Sequence, residues 1–179
     1  MSKESNIRIL LRRLIMLFLP AGYYFLSREG MLFINAAILF LVLFIAYLKY
    51  YLERKISPRF LSRIFEPETN FSFLAISCFL AIFFFGKTIA LNTMLFIILG
   101  NTFAEAARAR YGKATELITF AYSSLAASLF LLFFPLVFDW HVALLGCFAG
   151  TVVRWVKFPV NQDLSVGVVS GVVMTLLLQ

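Results

Sequence analysis

The sequence is short of charge, of histidine and of cysteine, and each shortage closes a class of explanation. Charged side chains make up 14% of the 179 residues, against about 25% in a soluble domain. Hydrophobic residues reach 62%, too many for the core of so short a chain, because a small domain leaves much of its surface exposed. Mean hydropathy is +0.92. Lipid has to be the solvent for most of the chain, and the 22 phenylalanines suit that medium. Cys78 and Cys147 fall in apolar stretches far apart and read as two buried thiols rather than a disulfide or metal pair. The one histidine, His141, follows Asp139 and Trp140 in a short turn and reads as an interfacial anchor. A G-x-x-x-x-G-K-[ST] phosphate loop, H-E-x-x-H, paired C-x-x-C and the protein-kinase signature are all missing. Any catalysis must rest on carboxylates, amides and basic groups.

What is present is a series of apolar stretches: residues 14–26, 31–48, 71–85, 88–99, 117–138, 142–153 and 164–178. They predict an all-α bundle of about seven transmembrane spans in a single membrane domain over residues 1–179, with six as the competing count. Several stretches are shorter than the roughly 20 residues of a straight span. The fourth can extend past Gly100 through Ala104, since nothing else there breaks a helix. Pro20 and Gly22 should kink the first or make it partly re-entrant. The residues before Arg12 and Arg13 do not read as a cleavable leader, so the first stretch is taken as permanent.

Charge sets the expected orientation. With the amino terminus cytoplasmic, the inner segments hold Lys3, Arg8, Arg12, Arg13, Lys49, Arg54, Lys55, Arg59, Arg63, Arg108, Arg110, Lys113, Arg154 and Lys157. Only Arg28 and Lys87 fall outside, which is the positive-inside pattern. The net charge of +7 is thereby explained as topology signals and anionic headgroups, with no nucleic-acid partner. Seven acids also fall inside: Glu4, Glu53, Glu66, Glu68, Glu105, Glu116 and Asp163. The outer loops (27–30, 86–87 and 139–141) are too short to build a site, so function is expected at the cytoplasmic face. Asn70, Thr115 and Asp163 are candidate N-caps of inward-starting helices, whose converging ends suit phosphates.

The richest segment is 100–116, G-N-T-F-A-E-A-A-R-A-R-Y-G-K-A-T-E. On a helix Asn101, Glu105 and Arg108 share one face. Gly112 is placed to terminate that helix, with Arg108 and Arg110 in its last turn. By composition alone the segment is also compatible with an ordinary helix end carrying topology charges.

The segment resembles the signature of the CTP-dependent lipid kinases (dolichol or polyprenol kinase, phytol kinase, yeast-type diacylglycerol kinase), which are distantly like the phosphatidate cytidylyltransferases. That signature runs G-D-x-x-A, a short helix, R-x-x-G-[KR], then K-[ST]-x-E-G. Gly100, Thr102, Ala104, Arg110, Gly112 and Lys113 match it, and Lys113-Ala-Thr-Glu116 can stand for K-[ST]-x-E. Asn161-Gln-Asp-Leu-Ser-Val166 is similar to the family's D-D-N-L-[ST]-[VI], and Arg63-x-x-Glu66-x-Glu68 matches loosely. The likeness covers roughly residues 60–178.

The resemblance implies an integral protein of a prokaryotic cytoplasmic membrane, transferring the γ-phosphate of CTP, or of another nucleoside triphosphate, to a lipid alcohol with Mg2+. It implies Glu105, Glu116 and Asp163 as catalytic carboxylates, with Asp163 and Glu105 on the metal. Gly100, Asn101, Thr102, Arg108, Arg110, Gly112 and Lys113 would bind the nucleotide. Five positions depart from the pattern: Asn101 replaces the signature aspartate, Leu117 a glycine, Gln162-Asp163 the D-N pair, and Arg154 a common glutamate. An amide is a weaker magnesium ligand than a carboxylate. Two other readings therefore stand beside the kinase, a CDP-lipid-forming cytidylyltransferase and a divergent non-catalytic lipid-binding member.

Overall fold

The computed structural model describes residues 14–53, 69–131, 139–156 and 161–178. Among them the chain is helical, in seven helices: α1 (Phe18–Phe25), α2 (Arg28–Glu53), α3 (Thr69–Phe84), α4 (Lys87–Tyr111), α5 (Lys113–Leu131), α6 (Trp140–Val156) and α7 (Gln162–Leu177). Three are long and apolar enough to cross a membrane: α2, α4 and α5. Most of the basic residues of the inner segments, together with Glu4, Glu66 and Glu68, lie outside the described residues.

α1 is only 8 residues long. Pro20 sits in its first turn, where the missing N–H would have had no intrahelical partner. The chain winds tightly into it, with Leu17 N–H on the Leu14 carbonyl and, inside the helix, Leu19 N–H on that of Met16. At 1.5 Å per residue these 8 residues span about 12 Å.

α4 is the centre of the bundle. It runs unbroken for 25 residues, past Gly100 as expected and on to Tyr111. A π-helical turn, Phe96–Gly100, interrupts its α-helical winding, and such insertions occur frequently at functional sites. Gly100 lies where α5 presses closest: a Cβ there would stand 2.5 Å from Ser124 Oγ and 2.8 Å from Phe120 Cε2. α4 ends at Gly112, whose φ of 90° is a conformation that favours glycine. α5 begins at the next residue.

α7 packs chiefly on α6 and α3. Gly146 and Gly150 on α6, and Gly167 and Gly171 on α7, each recur four residues apart and bring neighbouring side chains against the backbone, the small-residue device of close helix packing. Cys78 and Cys147 are buried free thiols, as expected of small hydrophobes.

At the turns joining α1 to α2 and α3 to α4, the two basic residues expected outside cap helix ends. Arg28 donates to the carbonyls of Ile82 (3.1 Å) and Phe83 at the end of α3. Lys87 donates to those of Tyr24 (2.9 Å) and Leu26 (3.3 Å) at the end of α1. Cations at helix C-termini complement the dipole and its unpaired carbonyls.

Candidate functional site

Four helices bring polar side chains to one buried point. Asn101 comes from α4, Glu116 from the first turn of α5, Arg154 from the last turn of α6 and Asp163 from the first turn of α7. All four are at most 2% exposed. Arg154 Nη2 donates to Glu116 Oε1 at 2.6 Å, and Nη1 donates to the Asn101 amide oxygen. Asn101 Nδ2 in turn donates to Asp163 Oδ1 at 2.7 Å. The guanidinium carbon lies 5.2 Å from the centre of the Phe120 ring. The signs agree with the helix dipoles, acids at two N-termini and a base at a C-terminus.

The expected site residues divide into a closed centre and an open rim. Asn101, Glu116 and Asp163 belong to the centre. Arg108, half exposed, reaches it from the surface, with Nε 3.6 Å from Glu116 Oε2. Arg110 lies over the Tyr111 ring at 5.1 Å. Lys113 donates to the Trp155 carbonyl at 3.2 Å, tying the start of α5 to the end of α6. Glu105 is partly buried on the same helix. Thr102 is buried with its hydroxyl unpartnered. Gly100 and Gly112 have local reasons to be glycine, helix contact and positive φ respectively.

Four sequence readings need correction. Arg154 counted as a topology charge at the membrane surface, yet it is 1% exposed inside the bundle. Its apolar flanks in α6 were the available signal. Asp163 was expected to cap α7, but Asn161 is the cap and accepts from the Asp163 N–H at 2.9 Å, which leaves the Asp163 carboxylate for Asn101. Thr115 does not cap α5, which starts two residues earlier at Lys113. Asn70 falls inside α3, one residue after its start.

Glu116 does not fit a magnesium ion as it stands. A cation bound to Glu116 would lie about 4 Å from the Arg154 guanidinium. At an effective dielectric of about 20, a divalent and a univalent cation at that distance repel by about 8 kcal/mol. Among the described residues no three His, Cys, Asp or Glu side chains stand together as a ligand group. The arrangement instead pairs a buried carboxylate with a guanidinium, whose Nε is left without a hydrogen-bond partner, and an amide links that guanidinium to a second carboxylate.

Away from this centre a cleft of about 400 Å3 lies between α1, α4 and α5, lined among others by Pro20, Ala21, Tyr24, Leu95 and Leu131. The chain matches no family model, no curated protein and no solved structure.

Proposed function

We propose that this chain is a multi-pass membrane protein, its amino terminus cytoplasmic, that binds lipid and transfers no phosphoryl group. In this reading it resembles the CTP-dependent lipid kinases in plan, but an internal ion pair fills the place of the nucleotide–metal complex. One observation carries the proposal: the buried Arg154 guanidinium on Glu116 and Asn101. Two of the carboxylates that phosphoryl transfer would need, Glu116 and Asp163, are engaged within the protein. Asn101 and Arg154 stand where an active site of that plan would carry anions. Replacing two negative positions by a neutral and a positive one removes the attraction for a divalent ion.

The kinase remains as a second reading because Arg108, Arg110 and Lys113 are exposed beside the centre. Basic groups so placed suit phosphate oxygens. Purified protein with magnesium, a mixed pool of lipid alcohols and CTP labelled at either the γ or the α phosphate separates the readings. The proposal expects no lipid product from either label. A product carrying the γ label restores the kinase, and one carrying the α label restores the cytidylyltransferase.

A further inference from the structure

We infer that the cleft between α1, α4 and α5 holds one hydrocarbon chain of an anionic phospholipid, with its phosphate at Lys87. The inference rests on the lipid-binding part of the proposed function, but concerns the opposite end of α4 from the buried ion pair. Lys87 and Asn101 are about 21 Å apart along the helix at 1.5 Å per residue.

The cleft lies where α1 and the turn before it run beside α4, with Leu17 among its lining residues. Leu91, Leu95 and Leu99, four residues apart on α4, line it over about 12 Å. Pro20 and Ala21 form one wall and Leu131 part of the other. Nearly every lining side chain is hydrocarbon or aromatic, so water has few partners there. In a protein surrounded by lipid tails, such a slot takes a tail.

The charge beside the slot selects the headgroup. Tyr24 and Phe25 both line the cleft, and the Tyr24 carbonyl accepts from the Lys87 ammonium. The ammonium has three donors, of which the Tyr24 and Leu26 carbonyls take two. It also lies 5.6 Å from the centre of the Tyr23 ring. A remaining N–H on an exposed, fixed cation is a phosphate contact at the depth of a headgroup. Arg28 adds a second fixed cation on the neighbouring turn, anchored on α3. Glu29 follows it on α2, exposed, so Lys87 is the cation assigned to the phosphate.

The test uses the full chain purified in mild detergent, with phosphatidylglycerol and phosphatidylcholine of identical acyl chains in equal amounts. Native mass spectrometry counts the lipid retained. One phosphatidylglycerol per chain is expected, preferred about five-fold, the effect of one basic residue at an anionic surface. Lys87→Gln should abolish the preference and Lys87→Arg should keep it. Ala21→Trp, which fills the slot, should release the lipid. Because a filled slot could disturb the fold, a second measurement uses Tyr24→Trp in a Trp140→Phe/Trp155→Phe background. Phosphatidylglycerol brominated in its acyl chain should quench that tryptophan, and Lys87→Gln should weaken the quenching by phosphatidylglycerol alone. Equal retention of both lipids by wild type and Lys87→Gln, or no quenching at position 24, overturns the inference. Neither result alters the labelled-CTP outcome, so the two readings fail separately.

Discussion

Arg154 and Glu116 form an ion pair of 2.6 Å whose side chains are 0% and 2% exposed. Water cannot compensate either charge if the other is removed. Their energetic role differs from that of a surface pair, which contributes about 0–1 kcal/mol.

Arg154→Met should therefore destabilise the fold by about 3–5 kcal/mol, the usual cost of breaking a buried pair from one side. Arg154→Met combined with Glu116→Gln should lose less than the sum of the two single changes, since the stranded carboxylate is gone. Unfolding in detergent, followed by circular dichroism, measures both. Additive losses would mean that the two side chains do not pair.

Asn101→Asp places a second carboxylate beside Asp163, now 2.7 Å from the amide nitrogen of Asn101. Repulsion between the two acids should lower stability at neutral pH, offset in part by Arg154. Added magnesium should not restore it while Arg154 is present. Thermal unfolding with and without the ion reads this directly, and a clear upward shift on adding magnesium would show that the site accepts the metal.

Gly100→Ala should cost about 1–3 kcal/mol, because the new methyl meets Ser124 Oγ and Phe120 of α5 and the helices must part. Gly86→Ala is the control, with nothing within 4 Å of its Cβ. Comparable midpoints for the two variants would remove the close α4–α5 contact.

Gly112→Ala should cost about 1–2 kcal/mol for a different reason, the left-handed backbone that a Cβ resists. No atom stands within 4 Å to clash with it. Gly112→Asn should cost about as much, because asparagine's tolerance of positive φ belongs to ψ of about +30 to +60°, and Gly112 has ψ of −176°. Thermal unfolding of the two variants checks this, and a markedly milder Gly112→Asn would count against it.

Much of the fold was legible from periodicity and punctuation. The run past Gly100 and the stop at Gly112 depend on local chemistry, and both are found. Burial of Cys78 and Cys147 followed from their apolar neighbours. Arg154 was harder, because a lone basic residue near the end of an apolar stretch has the same sequence appearance whether it faces headgroups or a carboxylate. Its partner lies 38 residues away, and no local pattern carries that information. The Asn161 cap was missed because asparagine and aspartate two residues apart are equally able caps, and Asp163 is drawn inward by Asn101. The close packing at the paired glycines of α6 and α7 was not read from the sequence, although their spacing of four stood there. The π turn had no sequence signal at all.

The 38 residues between Glu116 and Arg154 are also an interval of time. A ribosome adding about 5–20 residues per second finishes the start of α5 about 2–8 s before it adds the arginine. In the membrane reading proposed here, the nascent chain carries through that interval an acid with only the half-exposed Arg108 to offset it. Entering the hydrocarbon alone would cost α5 the penalty of a charged or newly protonated glutamate. The lowest-cost course keeps the acidic end of α5 at the headgroups until α6 arrives, and the two then settle as a hairpin. A single buried contact thus sets an order of assembly, in which α5 waits for α6 and α7 closes the bundle last.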